Sequence, residues 1–237
     1  AGRNNHCVVG PNTIGIIRGE KHTPLNSTLS FAEKCGMQLH YCNRMDYRKK
    51  NEPEYLEKLK QQFGDVYILP EGGSNILAMK GCAEIINEIS QDKAGTIDSG
   101  FDVICCASGT GATLAGLISA IKPAAAKNHP LAIGFSALKG GDFLKDEVSK
   151  FLGHTKTTVD WRIESNYHFG GYAKVNDDLI YFMKDFQTEY GFALDAVYTG
   201  KMFYGLFCMI EHNHFRPGTR IIAIHSGGLQ GNVGFGL

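Results

Sequence analysis

Residues 101–116 read FDVICCASGTGATLAG, and this stretch decides how the rest of the chain is interpreted. The apolar run Val103–Ala107 indicates a buried parallel strand, 108–113 a turn of small and hydroxyl residues, and 114–121 a helix of small apolar residues. Amide N–H groups at a helix start have no intrahelical partner and carry partial positive charge. The alternatives are therefore an ordinary strand-to-helix turn and an anion site, and we predict a phosphate site.

Composition narrows the class of protein. The 237 residues are 43% hydrophobic and 20% charged, as in globular proteins, and 24 basic side chains balance 24 acidic ones. The chain has no net positive charge that would favour nucleic acid or an anionic membrane as a partner. No apolar run is long enough to span a bilayer. The seven cysteines lie mostly in apolar segments, which favours reduced thiols and a cytoplasmic location. Cys208, His212 and His214 come nearest to a zinc pattern, but they have no second ligand pair, so we expect no metal.

Strand and helix patterns alternate along most of the chain, which predicts an α/β fold with parallel sheets covered by helices. Glycine-rich loops follow the strands, so they should gather at the carboxyl ends of a sheet, where such folds bind ligands. Besides the opening stretch, the predicted strands are 13–19, 38–42, 66–69, 131–135 and 220–224. The predicted helices are one that is capped by Asn26, Ser27 or Thr28 and ended by Gly36, one that follows a glycine loop within 139–153, and 53–63, 76–89, 177–190 and 201–213.

Two common nucleotide signatures do not match the glycine loop. A dinucleotide fingerprint would use Gly109 and Gly111, but its third glycine position holds Leu114, and the next strand ends in 135–137 without an acidic residue. A Walker A loop would end in Gly-Lys-Ser or Gly-Lys-Thr, whereas 200–202 read Gly-Lys-Met. A single phosphate monoester remains, and pyridoxal 5′-phosphate (PLP) is a common cofactor of that kind.

Four segments resemble, in order and spacing, the D-cysteine desulfhydrase and 1-aminocyclopropane-1-carboxylate (ACC) deaminase family. They are ILPEGGSN at 68–75, ASGTGATLAG at 107–116, LDAVYTGKMFYGL at 194–206 and IIAIHSGG at 221–228. The resemblance implies PLP as cofactor and the tryptophan synthase β-like fold (PLP fold type II), with two open, mainly parallel twisted sheets. Residues 1–70 would then be the remainder of a small α/β domain, and 71–237 the large PLP-phosphate-binding domain.

The resemblance also implies roles for matching positions. Tyr198 matches the active-site tyrosine of the family. Thr199 stands where ACC deaminases carry Glu near the pyridine nitrogen, and Ser226 stands where they carry Leu. The desulfhydrases carry Thr at both positions, so Thr199 matches them and Ser226 shares their hydroxyl, and both residues are expected to contact the cofactor. The PLP phosphate would be held by Ser108, Gly109, Thr110, Gly111, Ala112 and Thr113.

The beginning of the chain departs from the family pattern. Asn4 replaces a serine that exchanges a proton at the substrate carbon, and Asn5 matches an asparagine that contacts the PLP ring oxygen. Asn4 keeps its place in the predicted catalytic set, although an amide cannot titrate. The family's PLP-binding lysine lies in a GGNKxRK-like segment that the printed sequence does not contain. We expect an amino-terminally incomplete enzyme, with negligible turnover by the polypeptide as printed.

The predicted reaction is PLP-dependent α,β-elimination from a small amino acid, which places the protein among lyases or hydrolases. The first substrate prediction is D-cysteine, giving pyruvate, sulfide and ammonia. The alternatives are ACC deamination to 2-oxobutanoate and ammonia, or a truncated, non-catalytic relative that binds a phosphate ligand. The resemblance further implies a homodimer, and neither nucleic acid nor membrane is an expected partner.

Overall fold

The computed structural model of the protein describes residues 13–91, 100–122, 130–153, 157 and 159–237. The chain divides into two compact units, of which the first ends at Pro70 and the second is Glu71–Leu237. That the first unit is the remainder of a small domain stays a prediction.

The first unit is built on a pair of parallel strands. The Asn26 side chain caps the first helix by accepting the N–H of Leu29 at 2.9 Å, as expected for Asn before an apolar helical run. Among the described residues of this unit, only Tyr55 and Leu59 are buried. Its elements are β1 (Ile14–Arg18), α1 (Ser27–Lys34), β2 (Gln38–Cys42), α2 (Arg44–Arg48) and α3 (Pro53–Phe63).

The second unit is a four-stranded parallel sheet with helices on both faces. The strand order is β5-β4-β3-β6, and every pairing is parallel. Its strands are β3 (Val103–Ser108), β4 (Leu131–Ser136), β5 (Asp160–Glu164) and β6 (Ile221–Ile224). Its helices are α4 (Ile76–Gln91), α5 (Ala112–Ala120), α6 (Leu144–Leu152), α7 (Asp177–Tyr190) and α8 (Thr199–Glu211).

Alternating residues of β3 supply two separate apolar clusters. Ile104 and Cys106 pack with the side chains of α5 and α6 on one face of the sheet. Val103 and Cys105 pack with those of α7 and α8 on the other face. The sheet is thus buried on both sides, which explains why its strands read as continuous apolar runs and confirms the predicted α/β class.

The structure corrects several details of the predicted elements. Residues 66–69 form no strand, and Tyr67 and Leu69 expose 71% and 68% of their surface. The sequence patterns also missed α2, β5 and a 3-10 segment at Leu229–Phe235. Within the described ranges, no helix combines the length and apolarity that crossing a bilayer requires.

The carboxyl ends of the four strands lie along one edge of the sheet. Strand registers pair Ser108 with Ser136, Phe135 with Glu164, and Cys106 with Ile224. Parallel pairing therefore brings the loops that follow β3, β4, β5 and β6 together at this edge, which is where open α/β sheets bind ligands.

Candidate active site

The turn between β3 and α5 presents a helix start without a side-chain cap. Gly111 is the N-cap residue, in the left-handed region at φ 87°, and no side chain bonds the first-turn N–H groups as a cap. The first helical hydrogen bond runs from the N–H of Ala115 to the Gly111 carbonyl at 3.0 Å. The amides of 112–114 therefore precede the helical bonding pattern, and they are the donors that a phosphate would use.

Glycine is required in this turn by its close neighbours. A Cβ added at Gly111 would lie 3.0 Å from Val148 Cγ2, in addition to the cost of a positive φ. A Cβ added at Gly72 would lie 3.2 Å from Thr110 Cγ2, and the Ser74 and Thr110 hydroxyls share a hydrogen bond. The loop at 71–75 thus packs directly against the predicted phosphate turn.

Two predicted cofactor residues turn their hydroxyls away from the turn. Ser108 is buried, its Oγ is 3.9 Å from Cys106 Sγ, and a Cβ at Gly134 would lie 2.7 Å from that Oγ. The Thr113 hydroxyl oxygen lies 3.9 Å from Cys82 Sγ on α4. The fit to a phosphate therefore comes mainly from backbone N–H groups, and contacts of Ser108 and Thr113 with the cofactor stay predictions.

Tyr198 lies against the glycine turn. A Cβ added at Gly109 would be 3.1 Å from Tyr198 Cε1, so glycine permits this approach of ring to backbone. The Tyr198 ring meets Tyr172 edge-on, with centroids 6.1 Å apart. Burial and then the neighbouring Tyr172 raise the pKa of Tyr198 well above its ordinary value, so its phenol keeps its proton at neutral pH.

Sequence reasoning missed Tyr172. The residue is 58% exposed, although its ring contacts the Tyr198 ring edge-on. The available signal was an aromatic residue placed directly after Gly170-Gly171 in a loop at the carboxyl edge of the sheet.

Thr199 is held by Asp195 at the start of α8. The Thr199 hydroxyl donates to Asp195 Oδ2 at 2.7 Å and accepts the N–H of Asp195 at 2.9 Å. The Asp195 carboxylate also accepts the N–H groups of Val197, Tyr198 and Thr199 at 3.0, 2.8 and 2.7 Å. Both Asp195 and Thr199 are buried. The hydroxyl proton of Thr199 is thus given to Asp195, and a contact between Thr199 and the cofactor stays a prediction.

The loop after β6 passes the same aspartate. A Cβ added at Gly228 would lie 3.0 Å from Asp195 Cγ, and Ser226, two residues earlier, is exposed. His225 Nδ1 accepts the N–H of Gly227 at 3.2 Å, so its Nε2 is the nitrogen that donates to the Ala193 carbonyl at 2.9 Å. Ser226 is therefore accessible to a ligand, although its predicted contact stays untested.

Lys201 is buried two residues after Thr199. Its ammonium donates to the carbonyl oxygens of Gly171, His168 and Ala137 at 2.6, 2.9 and 3.4 Å. Burial lowers its pKa to about 8, while the nearby Asp195 opposes that shift. The signal was present in the sequence, since Lys201 is the one charged residue between Asp195 and Glu211.

The described residues thus bring Tyr198 onto Gly109 and place Thr199 and the Ser226 loop around Asp195. Asn4 and Asn5 lie outside the described residues, so their predicted roles stay predictions. The same part of the chain contains no group of three His, Cys, Asp or Glu side chains that could hold a metal ion.

The site belongs to a PLP enzyme. A model of the family "Pyridoxal-phosphate dependent enzyme" matches residues 17–227, and the chain is a member of that family. The uncapped helix start and the glycines of the turn fit the cofactor's phosphate, and Tyr198 closes one side of the turn.

Curated relatives place the chain among ACC deaminase and D-cysteine desulfhydrase proteins. A Pyrococcus furiosus protein, provisionally named an ACC deaminase, is 31% identical, and the match covers 96% of this chain and 70% of the relative. A bifunctional D-cysteine desulfhydrase/ACC deaminase of Arabidopsis thaliana is 28% identical, with 97% and 62% covered. These relatives support a PLP-dependent lyase acting on a small amino acid, and they do not support the hydrolase alternative.

Solved structures agree with the fold. The crystal structure of an ACC deaminase homologue has a TM-score of 0.68 and 26% identity, with 93% of this chain and 67% of that chain covered. An O-acetylserine-dependent cystathionine β-synthase from Helicobacter pylori has a TM-score of 0.60 at 14% identity, with 90% and 66% covered, and it shows the fold alone. The predicted PLP fold type II is confirmed.

Proposed function

We propose that this protein acts in α,β-elimination from D-cysteine, giving pyruvate, hydrogen sulfide and ammonia. With one water consumed, the atoms of D-cysteine appear in those three products. When bound, PLP supplies an electron sink for the electron pair left at Cα. The residues of this chain bind and orient the groups around that centre.

The amides at the start of α5 bind the phosphate and so fix the position of the reacting end of the cofactor. Tyr198 stands beside this turn with its phenol protonated, because burial raises its pKa. We assign Tyr198 Oη a hydrogen bond to the sulfur, which departs as hydrosulfide when the Cβ–S bond breaks and takes its second proton from water, so the phenol orients the leaving group and keeps its own proton. The neighbouring Tyr172 ring orients the Tyr198 ring through their edge-on contact.

The observation that favours D-cysteine is the side chain at position 199. A glutamate there would favour a protonated pyridine ring and a stronger electron sink. Thr199 has no negative charge, and its hydroxyl proton already goes to Asp195. A weaker sink suffices when sulfide, a good leaving group, departs from Cβ, whereas ring opening of ACC has no comparable leaving group.

ACC deamination is the second candidate, because the relatives named above include proteins named for both activities. The test incubates the protein, its amino terminus extended by the lysine segment of a relative, with PLP and with equal concentrations of D-cysteine or ACC. Sulfide and pyruvate are quantified from the first substrate and 2-oxobutanoate from the second, with PLP alone subtracted.

We expect equal amounts of sulfide and pyruvate from D-cysteine, exceeding 2-oxobutanoate from ACC, and a loss in Tyr198→Phe. Formation of 2-oxobutanoate without sulfide would replace D-cysteine by ACC. PLP binding with neither product would favour the non-catalytic, phosphate-ligand-binding alternative. The homodimer and the cytoplasmic location stay predictions, the first of which sedimentation equilibrium would check.

A further inference from the structure

Lys201 differs from the other described lysines because it is buried in the interior of the protein. Only 1% of the residue is exposed, and its acceptors are three backbone carbonyl oxygens. An ammonium has three protons, so these carbonyls match its donor capacity. At neutral pH the group is mostly protonated, since its pKa of about 8 lies above 7. Burying a charge costs free energy unless the group is hydrogen-bonded, so the three carbonyls are needed to keep the Lys201 ammonium in the interior.

The three carbonyls belong to two different loops at the edge of the sheet. Ala137 follows β4, and its N–H donates to the Ser108 carbonyl at 3.2 Å, where the glycine turn begins. His168 and Gly171 belong to the turn after β5 and are joined to each other by a hydrogen bond of 3.0 Å. Lys201 itself is on α8, so its side chain connects α8 to both loops.

One of these loops carries a ring that faces Tyr198. Tyr172 directly follows Gly171, and its ring meets the Tyr198 ring. Tyr198 lies three residues before Lys201 at the start of α8, and its ring lies against Gly109. A displacement of the 168–171 turn relative to α8 would therefore change the Tyr172–Tyr198 contact before it changed the sheet.

We propose that Lys201 is a positioning residue, which holds the Tyr172 loop and the start of the glycine turn at fixed places relative to Tyr198. The relevance of this to catalysis rests on the proposed function, while the positioning itself is a property of the fold. Lys201 acts through Tyr172 and Tyr198, since its own protons are donated to carbonyl oxygens.

The test places 3-fluorotyrosine at position 172 and follows its ¹⁹F resonance without cofactor or substrate. Tyr198→Leu should shift this resonance in the parent protein, because it removes the contacting ring. In Lys201→Met, we expect the resonance to move and its response to Tyr198→Leu to fall by at least half. Lys174→Met is the matched control, because Lys174 is an exposed lysine in the same loop, and it should leave both unchanged.

Folding is checked through Trp161, the one tryptophan in the sequence, by its fluorescence in urea. A folded Lys201→Met protein that retains the parent resonance and its full response to Tyr198→Leu would overturn the proposal. If Lys201→Met does not fold, the deciding variant is Lys201→Gln. Its side chain is shorter and has only two N–H protons for the three carbonyls, so the resonance should still move, and an unshifted resonance would overturn the proposal. The product assay fails or succeeds separately, so failure of the proposed function is distinguishable from failure of this inference.

Discussion

The starts of α5 and α8 are two solutions to the same physical problem at the same edge of the sheet. Each helix begins with N–H groups that lack intrahelical partners and with partial positive charge. At α8, the buried Asp195 carboxylate accepts the N–H of Thr199, the first residue of the helix, and the Thr199 hydroxyl. It also accepts the N–H groups of Val197 and Tyr198 directly before the helix. At α5, the cap is Gly111, which has no side chain to accept them.

The difference separates a helix start whose N–H groups are bound within the protein from one whose N–H groups are open to a ligand. The α8 start carries its own anion and needs no other, whereas the α5 start leaves its donors for an anion from outside the chain. Tyr198 joins the two, since it belongs to the α8 start and its ring lies against Gly109 of the α5 turn. Asp195 thus fixes the backbone of Tyr198, while the α5 start keeps N–H donors free of side-chain caps. This combination suits a site that holds a phosphate beside a fixed phenol.

The largest effect is expected at the closed helix start. Asp195→Ala leaves buried N–H groups and the Thr199 hydroxyl without their acceptor, and we expect a loss of roughly 3 kcal/mol or more in the free energy of unfolding. Asn176→Ala is the control, since Asn176 caps α7 through one bond to the N–H of Leu179, and it should cost about 1 kcal/mol. Urea denaturation measures both, and equal losses would contradict the central role given to Asp195.

At the open helix start, substitution should act on ligand binding. Gly111→Ala combines a strained positive φ with contact to Val148, and we expect PLP affinity to fall by at least tenfold, or about 1.4 kcal/mol. Gly191→Ala is the matched control, because Gly191 also has a positive φ, at a helix end where an added Cβ meets nothing within 4 Å. Equilibrium dialysis with PLP compares them. An equal loss in both would mean that general strain, rather than the α5 start, controls affinity.

Thr199→Val sharpens the comparison further. It removes the hydroxyl bonded to Asp195, so we expect a stability loss of about 1–2 kcal/mol. PLP affinity should stay within about threefold, or roughly 0.65 kcal/mol, because the hydroxyl proton is already donated to Asp195. A stable protein with tenfold weaker PLP binding would show instead that Thr199 contacts the cofactor, as the family resemblance implies.

The smallest effect is expected at Ser226. Because this residue is exposed, Ser226→Ala should change the free energy of unfolding by less than about 0.5 kcal/mol. Any effect on PLP affinity would then report a direct contact. His225→Ala is the contrasting variant, since it removes the bond to the Ala193 carbonyl and should destabilise measurably more. Thermal unfolding of the two variants makes the comparison.

The fold could be predicted where pattern and burial agree. The residues of β3 and most of those of α5 are buried, so both elements appear in the sequence as uninterrupted runs of apolar or small residues. The error at 66–69 has a physical cause, since an apolar tetrapeptide forms a strand only if it finds a pairing partner. The edge strand β5 was missed because its residues, Asp160–Glu164, alternate over too short a run to be distinctive.

The position of the candidate site could be predicted from the sequence, but its hydrogen bonds could not. Glycine spacing located the α5 turn, because a backbone that an anion approaches must be free of side chains. The burial of Lys201 depends on carbonyls 30 to 64 residues away in the chain. Likewise, the outward exposure of Ser226 and the inward turn of the Ser108 hydroxyl follow from packing between strands, which no local pattern encodes.

One measurement tests the contrast between the two helix starts most directly. Inorganic phosphate is titrated into ¹⁵N-labelled protein, and amide chemical shifts are followed at both sites. We predict saturable shifts at the amides of Ala112 and Thr113, with those of Val197 and Thr199 unmoved because Asp195 already binds them. Absence of any shift at the α5 start, or larger shifts at the α8 start, would contradict the account.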